Sequence, residues 1–74
     1  MTEDKFKAAL KRLLDEKGIT IYALSKITGK KYGRIRKVFN GGGRLKVGLL
    51  LEIMEIAKIT FDEIIDEAKE ESKQ

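Results

Sequence analysis

The chain has 74 residues and neither cysteine nor histidine, so disulfides, thiolate metal sites and imidazole-based catalysis are excluded and stability must come from packing one small domain, residues 1–74. Its net charge of +4 is segregated: +1 over residues 1–18, +8 over 19–48, where no acidic side chain occurs, and −5 over 49–74. An uncompensated block of that kind creates a positive field and points to a polyanionic partner for that segment.

Proline is absent and apolar residues recur at three and four positions, which predicts an all-α chain of five short helices. The first, about residues 3–17, has Thr2 as N-cap, Glu3 and Asp4 in the first turn, Phe6, Ala9, Leu10, Leu13 and Leu14 on one face, and Gly18 past its end. The second, about 21–28, starts after Thr20, buries Ala23, Leu24 and Ile27, and stops at Gly29. The third, about 31–39, has the narrow apolar stripe Ile35, Val38 and Phe39 on an otherwise cationic surface and ends at Asn40-Gly41-Gly42-Gly43. Gly33 within it requires either tertiary support or close approach of another backbone.

The fourth helix, about 46–57, carries Val47, Leu50, Leu51, Met54 and Ala57 on one side and Leu49, Ile53 and Ile56 on another. That arc suits either a middle helix buried on two sides or a homodimer contact formed by Leu49, Ile53 and Ile56 with Phe61 and Ile65. The fifth, about 61–70, opens with Thr60 and Glu63 at capping-box spacing and buries Phe61, Ile64, Ile65 and Ala68, with residues 69–74 expected to fray. No run approaches the ~20 apolar residues of a membrane span and the start lacks a signal-type apolar run, so a cytoplasmic, soluble protein is expected.

Two short helices meeting at a glycine turn, the second one basic, meet the physical requirements of a helix-turn-helix. Leu24-Ser25-Lys26-Ile27-Thr28-Gly29, then Ile35, Asn40-Gly41, and Leu50 through Phe61-Asp62-Glu63-Ile64 resemble the five-helix lambda-repressor-like (Cro/C1, XRE-type) DNA-binding domain over about residues 5–66. The chain departs from the family pattern at Ile21, where glutamine is usual, Ser25 for alanine, Lys30 for an apolar residue, and Lys31 for a small hydroxyl residue.

The resemblance implies that the third helix enters the major groove of double-stranded DNA. It implies that Tyr32, Gly33 and Lys37 face the bases, with Lys31 and Arg34 at the groove edge and Arg36 toward the backbone. Lys37 suits guanine O6 or N7, and Tyr32 suits a thymine methyl or a phosphate. Asn40 and the loop behind it are implied as phosphate contacts, Tyr22 is a substitute for the missing glutamine, and Lys30, Arg44 and Lys46 extend the positive surface. The expected function is a small Cro-like repressor, homodimeric on DNA, without metal, cofactor or small-molecule ligand. Two other readings stand beside it: a protein-binding module such as an antitoxin or adaptor, and a sequence-blind architectural binder. No catalytic constellation is present, since Glu52 with Glu55 and Asp62 with Asp66 adjoin no expected cleft.

Overall fold

Threonine hydroxyls start three of the five helices by accepting backbone N–H groups that the first turn leaves without partners. In the computed structural model, which describes residues 1–72 and, of 71 and 72, the backbone alone, Thr2 Oγ1 accepts from Lys5 N–H at 3.2 Å and opens α1 (Glu3–Glu16). Thr20 Oγ1 accepts from Ala23 N–H at 3.0 Å and opens α2 (Ile21–Thr28). At α5 (Phe61–Ser72) the box is reciprocal: Glu63 N–H donates to Thr60 Oγ1 at 3.2 Å and Thr60 N–H donates to Glu63 Oε1 at 3.0 Å. The two remaining helices, α3 (Tyr32–Asn40) and α4 (Val47–Ala57), begin behind Lys31 and Lys46, which provide no side-chain cap.

The chain reverses after α1 at Gly18 and after α2 at Gly29, both left-handed. After α4 the same conformation falls on Lys58 (φ 54°), where a Cβ makes it costly. Behind two of these reversals an isoleucine folds back: Ile19 N–H donates to the Leu14 carbonyl at 2.9 Å and Ile59 N–H to the Met54 carbonyl at 3.0 Å. Ile59 is buried and Ile19 packs against the core, the hydrophobic contact that accompanies this type of helix end.

One core joins all five helices: Ala9, Leu10 and Leu14 of α1, Leu24 of α2, Ile35 of α3, Ile53 and Ala57 of α4, and Ile64 and Ala68 of α5, with Ile59. α1 packs on α5 and α3, and α2 on α3. Between the ends of the chain, Phe6 and Phe61 pack at 5.5 Å between ring centroids, tilted by 38°, and Arg12 Nε donates to Glu67 Oε2 at 3.1 Å.

Several expectations need correction. Ile27 is 61% exposed, because Leu24 directs α2 inward and Ile27 lies about 60° around the helix from it. Val47 and Leu51 are 69% and 57% exposed, since α4 turns Ile53 and Ala57 to the core instead. Ile53, expected at a dimer contact, is fully buried and has no surface to offer a second copy. Phe61 is 52% exposed, resting one face on Phe6. α5 continues through Ser72, so residues 69–72 are helical, and the fraying expected of 73 and 74 lies outside the described residues.

Candidate nucleic-acid interface

The positions of α3 divide cleanly between two environments. Ile35 and Val38 are buried and fix the helix to the core, whereas Tyr32, Gly33, Arg34, Arg36, Lys37 and Asn40 are exposed. Gly33, Arg36, Lys37, Asn40 and Gly41 line one surface groove along the outward face. Lys30, Arg34, Lys37, Arg44 and Lys46 border a second, of about 410 Å³, between α3 and the start of α4. Lys37 belongs to both. Lys31, the residue before α3, is also exposed, and Lys30 is half-buried.

The electrostatics follow from what these cations lack. Among the described residues, the ion pairs engage Lys7, Lys11 and Arg12, and none engages Lys30, Lys31, Arg34, Arg36, Lys37, Arg44 or Lys46. Two carboxylates of the acidic end are engaged elsewhere, Glu67 with Arg12 and Glu63 with the α5 cap. Glu63 is held below the ordinary carboxylate value, first by the Thr60 backbone N–H and then by the Thr60 hydroxyl. Glu52 is the one carboxylate bordering the groove between α3 and α4. The uncapped starts of α3 and α4 add the positive ends of two helix dipoles to this field.

The turn before α3 is fixed by hydroxyls. Gly29 takes φ 74° and donates its N–H to the Ser25 carbonyl at 3.0 Å. Ser25 Oγ donates to the Lys30 carbonyl at 2.7 Å, Thr28 Oγ1 to the Leu24 carbonyl at 2.7 Å, and Lys30 N–H to Thr28 Oγ1 at 3.3 Å. A short helix, a glycine turn and a second helix with its charged face free are thus set on a common core. A family model described as helix-turn-helix matches residues 10–64, about three-quarters of the chain.

The chain belongs to the XRE/Cro-C1-type helix-turn-helix family. No curated protein and no solved structure matches it significantly. The family is one of DNA-binding regulators rather than enzymes. No helix among the described residues is long and apolar enough to cross a membrane, and no cluster of acidic residues there is suited to a metal ion.

In this helix-turn-helix protein Ser25, in place of alanine, supplies a hydroxyl that donates to the backbone carbonyl of Lys30. Ile21, in the usual glutamine position, packs against the core and offers no phosphate donor. Tyr22 beside it is exposed, with Lys26 Nζ 5.4 Å from its ring centroid. A Cβ built on Gly33 would meet nothing within 4 Å, so no contact inside the fold requires glycine there.

The sequence reading missed Lys7. It is 5% exposed, and its Nζ donates to the Gly43 carbonyl at 2.8 Å, holding the α3–α4 loop against α1. The only sequence signal for it is that Lys7 adjoins Phe6 and precedes the buried Ala9 and Leu10 on α1, which places a lysine close to the apolar stripe.

Proposed function

We propose that this chain is a sequence-specific regulator that binds double-stranded DNA in the cytoplasm, a small Cro-like repressor whose α3 lies in the major groove. One observation supports the reading above the others: seven cations on α3 and the segments flanking it have no acidic partner among the described residues. In this reading Tyr32, Gly33 and Lys37 face base edges, while Lys30, Lys31, Arg34, Arg36, Arg44 and Lys46, with Asn40, meet phosphates or the groove edge. A duplex offers that array a regular line of negative charge, which a single anionic metabolite does not.

Homodimerisation belongs to the same proposal. Phe61, with the half-buried Leu49, Ile56 and Ile65, supplies the contact, and two copies of α3 about one turn of DNA apart, ~34 Å, would read a palindrome. The exposed Ile27, Val47 and Leu51 favour a second reading, a module that docks another protein.

Selection of bound duplexes from a random pool tests these proposals. A palindromic motif with half-sites one turn apart is the expected result. Recovery of unrelated duplexes with equal affinity would select a sequence-blind binder, and recovery of none would leave the protein-docking reading.

A further inference from the structure

Lys7 is the one buried charged residue among those described, and an ammonium group removed from water persists only where its donors are used. Its principal acceptor is the carbonyl of Gly43, 36 residues away, and it stands 4.0 Å from Glu3 Oε2 and 3.8 Å from Asp4 Oδ1. The same Glu3 oxygen accepts the backbone N–H of Leu45 at 3.3 Å. Two side chains one turn apart on α1 therefore hold residues 43 and 45, on either side of Arg44.

The opposite flank of the loop is equally constrained. The N–H groups of Gly41 and Gly43 both donate to the Lys37 carbonyl at 2.9 Å. A Cβ at Gly43 would stand 3.2 Å from that carbonyl, so a side chain there would require the neighbouring backbone to give by a few tenths of an ångström. A run of three glycines loses more backbone freedom on ordering than any other tripeptide, and without external ties it would bring that cost to each binding event. Arg44 itself is exposed and makes no ion pair within the described residues.

We infer that Glu3 and Lys7 form a clamp that presets residues 43–45, so that α1 determines how Arg44 is presented to a DNA phosphate. The inference rests on the DNA-binding reading above. Lys7 and Glu3 are positioning residues: they act on the ligand through the loop and touch no base or phosphate themselves. Ordering the loop before binding lowers the entropy lost at encounter, which is where preorganisation gains affinity.

Two measurements test the clamp. The first needs no DNA: amide hydrogen exchange of Gly43 and Leu45, followed by NMR in the intact chain. Lys7→Met keeps the apolar stem and removes the ammonium, and Glu3→Ala removes the exposed acceptor. Each is expected to accelerate exchange at those two amides on the order of tenfold while Leu10 and Ile35 stay protected. Unchanged exchange in both variants overturns the clamp, and Glu3→Ala, at an exposed position, decides the matter if Lys7→Met fails to fold.

The second measurement is a double-mutant cycle on a duplex recovered by the selection described above. Lys7→Met is expected to weaken binding on the order of tenfold in the natural chain, and less than about twofold in an Arg44→Ala background. Equal weakening in both backgrounds shows that Lys7 does not act through Arg44 and overturns that part of the inference. If the natural chain binds no duplex, the DNA-binding reading fails, and exchange at Gly43 and Leu45 still decides whether the clamp exists.

Discussion

The number of cations that meet phosphate can be read from the salt dependence of binding. Seven unpaired cations occupy the surface of α3 and its flanking segments. Lys37 is set aside for a base edge, and Lys30, half-buried at the turn, is less able to reach outward. About five phosphate contacts per protomer then remain, which gives a slope of log affinity against log salt of roughly −4.5. Between 50 and 200 mM salt that slope corresponds to a loss of roughly 500-fold in affinity per protomer. Fluorescence anisotropy on a selected half-site duplex across that range measures it directly. Arg36→Ala is expected to make the slope shallower by about 0.9 and to weaken all sequences alike, whereas Lys37→Ala should cost on the order of 1–3 kcal/mol at one base pair. A slope shallower than about −2 for the natural chain would show that most of these cations meet no phosphate. It would refute the reasoning from unpaired charge.

Three further outcomes are expected from the fold itself. Ser25→Ala removes the side-chain donor to the half-buried Lys30 carbonyl and should cost about 1–2 kcal/mol in urea unfolding; a change within measurement error would show that water replaces the hydroxyl. Ile53→Ala should cost about 2–5 kcal/mol and Leu51→Ala within about 0.5 kcal/mol, so equal losses would contradict the orientation of α4. Because Glu63 titrates below its unfolded-state value, its ionised form stabilises the fold above that value, and the contribution disappears as pH falls through the folded value. The stability difference between the natural chain and Glu63→Gln should accordingly narrow on acidification, and a difference independent of pH would remove the carboxylate from the cap.

What the sequence disclosed was mostly local. The Thr20 cap of α2 and the Thr60–Glu63 box of α5 were legible because donor and acceptor lie within three residues. The charge block predicted a basic surface because no carboxylate occurs within it to pair with. The orientation of α4 was not legible, since a helix with apolar residues around most of its circumference does not reveal which stripe its neighbours cover. Ile53 went inward and Leu51 outward because the core Ile53 joins is built from residues of the other helices, which no window over α4 contains. The ties from Lys7 to Gly43 and from Glu3 to Leu45 were hidden for the same reason, being separated by 36 and 42 residues. The burial of Ile19 and Ile59 was not legible because linker residues have no periodicity to disclose it.

Along α3 the residues that anchor and the residues that face solvent are different residues: Ile35 and Val38 point inward, and positions 32, 33, 36, 37 and 40 take no part in the core. Exchanging an outward side chain away from special contacts typically changes stability by no more than about 0.5 kcal/mol. The protein can therefore drift toward new targets through substitutions that the scaffold scarcely registers, while its length and its glycine-rich bend stay constant.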